Sequence, residues 1–292
     1  MSDVVVIGPT SLNEIVELDA LPQPRPHTIT ARAHWRTLGG TSAGKALHLA
    51  GLGVDVTCVS VVGHDADADA IRAAFDEHGA ALLALTGQGP SEHHLNLMTR
   101  AGERLSIYLD HAPRADLTAS HRTQIAALLA HAKVVALDLS PLGIDCVDAV
   151  RACGAAVWVD LHDYDGRNPF HEAFLPHANV VLMNGDGMDD PVAFLRARVA
   201  AGAHAGVCTL GADGAVGVAS TGEIARVQAV PTEVVDTNGA GDAFAAGMIA
   251  SLLDAGLTGP LTSPQLCAAM AAGATRATTA LTSRDLAPRP TL

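Results

Sequence analysis

Seven consecutive residues, Asp236-Thr237-Asn238-Gly239-Ala240-Gly241-Asp242, place small side chains between two carboxylates, directly ahead of the apolar stretch AFAAGMIASLL. Glycine and alanine let a backbone pass close to a ligand. A helix that starts there turns free N–H groups and the positive end of its dipole into the gap. The gap is an anion hole suited to a phosphoryl group in transfer. Asp242, in the first helical turn, could take a proton from an attacking hydroxyl. The bland alternative is an ordinary glycine-rich loop with Asp242 as helix N-cap.

A second glycine loop, Gly39-Gly40-Thr41-Ser42-Ala43-Gly44-Lys45-Ala46, fits G-x-x-x-x-G-K. A P-loop next needs a Ser or Thr hydroxyl for Mg²⁺, and Ala46 has none. The loop also follows a polar segment instead of a core strand, so the P-loop reading is rejected. Two glycines entering a helix can still expose N–H groups to the hydroxyls of a substrate. A third loop, Thr209-Leu210-Gly211-Ala212-Asp213-Gly214, ends a strand and is either a plain turn or part of a ligand-bearing edge.

The elements that must carry these loops alternate. Val4–Ile7, 54–62, 134–138, 157–160, 179–183 and 205–210 read as strands, with helices at 41–52, 67–78, 119–131, 143–153 and 191–201 between them. Short strands at 215–219 and 224–228 precede the 231–241 loop, and alanine-rich helices follow at 242–255 and 263–281. The alternation predicts an α/β fold, a mostly parallel central sheet covered by helices on both faces. Residues 27–38 and the hairpin 93–110, turning at Arg100-Ala101-Gly102, do not fit that scheme. They read as a small antiparallel sheet beside it, a lid. Residues 1–292 show no linker, repeat or low-complexity tract and are expected to form one domain plus that lid.

Composition narrows the partners. Hydrophobic residues are 49% and charged residues 17%, enough apolar side chain for a large core; aromatics are only 3%. The net charge of −13 disfavours nucleic acid or an anionic membrane as partner. The five cysteines are scattered and form no C-x-x-C pair, which argues against a zinc site or disulfide framework. No signal peptide and no apolar run of about 18 residues is seen, so a cytoplasmic location is expected.

The three loops together are more specific than any one of them. DTNGAGD with its helix, GG-x-x-A-x-x-A-x-x-x-A-x-L-G at 39–53, and T-L-G-x-x-G at 209–214 resemble, in this order, the ribokinase-like (PfkB) family of carbohydrate and nucleoside kinases. The resemblance runs over nearly the whole chain and implies ATP-dependent phosphorylation of an alcohol group on a small molecule. It makes Asp242 the base and residues 239–241 the anion hole. It places Asn184, Thr209, Gly211, Gly214 and Thr237 on the nucleotide side, and Asn13, Gly39, Gly40, Gly44 and Lys45 on the acceptor side. Asp236 and Thr237 fall where many members hold a monovalent cation such as K⁺, and Mg²⁺ accompanies ATP.

Three departures stand out. Asn13 occupies a position where the family commonly has Asp. Gly44 replaces an Asn, and Lys45 follows it; a lysine facing the pocket would favour an anionic acceptor, while a solvated helix lysine is the alternative. The family's N-x-x-E appears as Asn184-Gly185-Asp186-Gly187, leaving Asp186 as the candidate Mg²⁺ carboxylate. Of His93 and His94, neighbours on a strand with opposite faces, one could reach the acceptor. Residues 160–165, Asp-Leu-His-Asp-Tyr-Asp, read as substrate contacts or a solvated loop. Arg100 and Arg104 read as solvent-exposed.

The expected function is phosphorylation of a sugar or sugar-like alcohol. A nucleoside acceptor is the near alternative, for which Trp35 and Tyr108 are among few aromatics near the lid. A nucleotide- or sugar-binding protein with lost turnover is the alternative of another class. A dinucleotide dehydrogenase lacks its G-x-G-x-x-G. The exposed lid sheet suggests a homodimer.

Overall fold

The computed structural model describes residues 2–100, 102–112 and 114–288; Ala101 of the expected hairpin turn lies outside them. Its strands are β1 (Val4–Ile7), β2 (Ser11–Leu18), β3 (Ala33–Gly39), β4 (Val56–Val62), β5 (Ala81–Thr86), β6 (Glu92–Thr99), β7 (Arg104–Asp110), β8 (Val134–Leu137), β9 (Ala156–Asp160), β10 (Val180–Asn184), β11 (Ala205–Thr209), β12 (Ala215–Ala219) and β13 (Ile224–Val227). The helices are α1 (Thr41–Ala50), α2 (Ala66–Glu77), α3 (Ala119–Leu129), α4 (Pro141–Ala152), α5 (Pro169–Glu172), α6 (Pro191–Ala200), α7 (Ala240–Asp254) and α8 (Ser263–Leu281).

The strands of the large sheet are continuous β-branched and aliphatic runs because both their faces are covered; β1, β4 and β8 are buried at every position. The order is β13-β12-β11-β10-β9-β8-β1-β4-β5, parallel except at β12 and β13. From β1 the chain winds first to β4 and β5, then returns to β8 and proceeds to β9, β10 and β11. The switch point therefore lies between β1 and β8, and the crevice outside their carboxyl ends is where such sheets bind ligands.

Helices α1, α7 and α8 pack on one face. Gly247 and Gly273 let α7 and α8 touch: a Cβ on Gly247 would stand 2.8 Å from Ala272 O, and one on Gly273 would stand 2.7 Å from Phe244 O. The apolar stretch read from sequence is α7 itself, buried almost throughout.

The smaller sheet has the order β3-β2-β6-β7. Two corrections follow. The expected strand 27–38 begins only at Ala33. The sheet is also not wholly antiparallel, because β2, in a stretch where no strand is expected, pairs in parallel with β6 at its centre. β5, on the edge of the large sheet, was likewise missed.

A segment after α8 straps the two sheets together. Leu286 N–H donates to Thr37 Oγ1 at 3.3 Å, and Leu286 O accepts from His48 at 3.0 Å. Arg284 lies over the Trp35 ring at 4.5 Å and pairs with Glu17 on β2.

Candidate active site

Gly239 caps α7 in the left-handed conformation, φ 74°, which a residue with a Cβ adopts with strain. The cap is fitted to its surroundings as well, since a Cβ there would meet Leu286 Cδ1 at 2.8 Å. Asp236 shapes the loop before it by accepting the Asn238 N–H at 2.8 Å. The helix then opens with Ala240, Gly241 and Asp242, whose N–H groups have no partner one turn earlier within the helix. The arrangement can receive an anion.

Asp242 is 8% exposed and α1 lies against it. Gly44 makes that approach possible: a Cβ on it would fall 2.6 Å from Asp242 Oδ2. One position on, Lys45 is 1% exposed, with its Nζ 2.9 Å from Asp242 Oδ1, 3.1 Å from Asp138 Oδ1 and 3.2 Å from Asp160 Oδ2. Lys45 is thus neither the solvated lysine nor the free cation awaiting an anionic acceptor that the sequence suggested. Three carboxylates already enclose it.

These charges set one another. Burial pushes the Asp242 carboxyl up to about 6, with Lys45 opposing the rise and Asp138 and Asp160 adding to it. Burial works against the Lys45 ammonium, yet Asp138, Asp242 and Asp160 outweigh it and hold the group well above the usual lysine range. Burial also opposes ionisation of Asp160, but His162 and Lys45 hold its carboxyl well below the usual carboxylate range. His162 takes the left-handed φ of 52° and donates its N–H to Asp160 at 3.1 Å.

Asp138, just past β8 at the switch point, was missed as a site residue. Ser42 donates to it at 2.7 Å and Thr41 at 3.3 Å. A Cβ on Gly8, just past β1, would stand 2.8 Å from Asp138 Cβ. The available signal was position: Asp138 and Asp160 are acids at the carboxyl ends of neighbouring core strands.

The smaller sheet presents a wall that carries the residues expected on the acceptor side. Its register sets Thr37, Asn13, His94 and Tyr108 side by side in one row across β3, β2, β6 and β7. The Asn13 amide packs directly on Gly39, Ser11 donates to Asn13 Oδ1 at 2.9 Å, and Gly40 opens α1 at φ 88°. His94 Nε2 lies 2.9 Å from Glu92 Oε1, with the His94 ring 3.9 Å from that of Tyr108. His93 points away, its Nδ1 2.6 Å from Asp67 on α2. Of the two histidines, His94 is the one on the row with Asn13.

The loops expected on the nucleotide side come together on neighbouring strands. Asn184 ends β10 and Thr209 ends β11, paired in register. Gly211 (φ 57°) and Gly214 (φ 85°) form the turn after Thr209, and a Cβ on Gly214 would collide with Val227 O. Thr237 lies in the loop before α7, its carbonyl accepting the Ala240 N–H at 3.4 Å.

For cations the donors differ between two places. Asp236 is 4% exposed and its Oδ2 has no hydrogen-bond partner among the described residues, which fits a monovalent cation beside the loop. At 184–187 the fit for a directly held metal is poor. Asn184 Oδ1 is occupied by the Asp186 N–H at 3.0 Å, and Asp186 is exposed. A side chain at residue 187 would have to displace the backbone above it, because its Cβ would press on Asp163 O and stand 2.8 Å from Asp163 C. Among the described residues, no group of three or more His, Cys, Asp or Glu is disposed to hold a metal.

The chain is similar to known kinases over most of its length. The family described as pfkB family carbohydrate kinase matches residues 1–284. The acarbose 7(IV)-phosphotransferase of an Actinoplanes strain is 32% identical over 252 residues, 85% of this chain and 84% of that protein. The nucleoside kinase of Methanothermobacter thermautotrophicus is 25% identical over 264 residues, covering 86% and 82%. Among solved structures, a microbiome-derived acarbose kinase superposes with TM-score 0.82 at 25% identity over 98% of this chain and 96% of that one. A ribokinase from Giardia lamblia reaches TM-score 0.83 at 19% identity, covering 99% and 98%, a likeness of fold.

Proposed function

This chain belongs to the pfkB family of carbohydrate kinases, and from that premise we propose that it transfers the γ-phosphoryl group of ATP to a hydroxyl of a sugar or sugar-like acceptor. The observation that carries the proposal is the placement of Asp242. A buried carboxylate sits in the first turn of α7 beside a left-handed glycine cap, and α1, which continues from the Gly39-Gly40 pair of the wall carrying Asn13, lies against it.

In this reading the acceptor lies between that wall and Asp242. Asn13 and the Gly39-Gly40 backbone hold its hydroxyls, Asn being able both to donate and to accept. Asp242 takes the proton of the attacking hydroxyl. The N–H groups of the 239–241 loop receive the phosphoryl oxygens, and Asn184, Thr209, Gly211, Gly214 and Thr237 line the nucleotide side. Mg²⁺ with ATP offsets phosphate charge, and Asp186 is the one carboxylate within 184–188 to meet it through water. Asp236 would hold K⁺ beside the loop. The smaller sheet acts as a lid that excludes water, so that ATP is not lost to hydrolysis.

A sugar-like acceptor is favoured over a nucleoside by the row Thr37, Asn13, His94 and Tyr108, which offers hydrogen-bonding groups at each position, its two rings being packed on each other. The relatives named for acarbose as substrate support the same preference. The exposed side chains of edge strand β7, Leu105, Ile107 and Leu109, support pairing of two copies through the lid. A single-species mass of one chain in light scattering would remove that part of the reading.

The deciding experiment is ADP release with Mg-ATP across a panel of sugars, pseudo-oligosaccharides, sugar phosphates and nucleosides, run beside Asp242→Asn. Stimulation by a sugar-like acceptor, lost in the variant while ATP still binds, is the expected result. ATP binding with no acceptor-stimulated release from the wild type would favour a binding protein instead.

A further inference from the structure

Lys45 has no solvent to neutralise it and no mobility to spare. The three carboxylates around its ammonium come from three separate elements, the residue after β8, the last residue of β9 and the first turn of α7. Carboxylates drawn together from separate elements ordinarily face a metal ion. At this point a side chain of α1 supplies the charge instead.

The geometry points to Lys45 as the positioning residue of the base: a tethered cation that fixes the orientation of the Asp242 carboxylate and keeps it anionic inside a dry pocket. The inference rests on the reading of Asp242 as the base. Nζ takes Oδ1 at 2.9 Å, and Oδ2, lying against the bare Cα of Gly44, has no hydrogen bond among the described residues. Oδ2 is the oxygen left to accept the acceptor's proton. Lys45 is held in turn. Asp138 is fixed by Ser42 and Thr41 from the same helix, and Asp160 by the His162 N–H. A lysine with three anchored partners has one place to be.

The charged groups that face Asp242 are Lys45 from α1, Asp138 from the end of β8 and Asp160 from β9, with the His162 imidazole 3.7 Å behind Asp160. Two of the three near groups are anions, which make ionisation of Asp242 harder. Lys45 alone among them favours it. Without the ammonium the carboxyl would hold its proton to higher pH and would lose the contact that orients it, so a smaller and less well aimed fraction of the base would be present at neutrality.

The test is Lys45→Met, close in length and uncharged. At pH 7.5 kcat should fall by about 100-fold, the loss of a poised general base. The dissociation constant for ATP should stay within about threefold, under 1 kcal/mol. The acid limb of kcat/KM should move up by about one pH unit or more. A lysine that only supported the fold would reduce the yield of folded protein and leave the limb in place. If Lys45→Met does not fold, Lys45→Met with Asp160→Asn is read against Asp160→Asn alone, because loss of that anion by itself lowers the limb. A folded variant whose pH profile overlies the wild type overturns the inference while leaving Asp242 as base. A fully active Asp242→Asn would remove the premise itself.

Discussion

Gly44 and Asp242 touch where α1 crosses the start of α7: a Cβ added at 44 would fall 2.6 Å from Oδ2 and 2.7 Å from Cβ of the aspartate. Gly44→Ala should therefore displace the carboxylate without altering any group that binds nucleotide. We expect kcat to drop by about 10- to 100-fold, since sub-ångström misplacement of a catalytic group is severe. ATP affinity should be close to unchanged. Steady-state kinetics with nucleotide binding by calorimetry measures both, and an equal loss in both would contradict the prediction.

The pH dependence of the wild type follows from the Asp242 carboxyl, which burial lifts to about 6. Under the proposed mechanism Asp242 works ionised, so activity should be present above that value and be lost as pH falls through it. The kcat/KM profile should show an acid limb centred near pH 6, displaced from the ordinary aspartate range near 4. A limb at 4 would place the titrating group in a wetter site than this one.

Restoring the family's glutamate should harm the protein. Gly187 lies under the backbone of the 163–164 segment, with Asp163 C 2.8 Å and Tyr164 O 3.0 Å from where a Cβ would sit. Gly187→Glu and Gly187→Ala should both lower stability by about 1–3 kcal/mol, as overpacking does. Neither should raise kcat. Thermal melts of the two variants decide it; an unchanged melting temperature for the alanine variant would show that the loop yields.

His48 gives stability its own pH dependence. Burial, with Arg276 beside it, lowers its pKa to about 3; Arg276 donates to Nδ1 at 3.0 Å, so the neutral ring carries its proton on Nε2 and donates to Leu286 O. The unfolded chain takes up a proton near pH 6.5 and the folded one does not, so this contribution is whole above 6.5 and shrinks as pH falls towards 3. Between pH 6.5 and 5 the loss from this group is about 2 kcal/mol. Denaturant titrations of wild type and His48→Gln should show that slope in the first and a flatter one in the second.

Much of the site was legible because its parts are local. The DTNGAGD loop, the glycine pair at 39–40 and the turn at 209–214 each carry their backbone requirement in their own residues. What escaped was either two-sided or distant. β2 reads as a loop because Asn13 and Glu14 interrupt its apolar pattern, yet Asn13 is buried for its contact with Gly39 and Glu14 pairs with Arg36 across the strand. β5 follows the Gly79 turn directly and sits at a sheet edge, where burial imposes little pattern. Lys45 looked like a surface or pocket lysine because its principal partner is 197 residues away in the chain. Asp138 gave no motif at all, only its place past a strand at the crevice.

The strap ending at Leu286 orders events in time. Its side chain backs the Gly239 cap, and its backbone joins Thr37 of the smaller sheet to His48 of α1. Every strand and helix described here precedes it in the chain. During synthesis those elements emerge ahead of Leu286, so the contact that backs the Gly239 cap closes only after the parts it joins have left the ribosome.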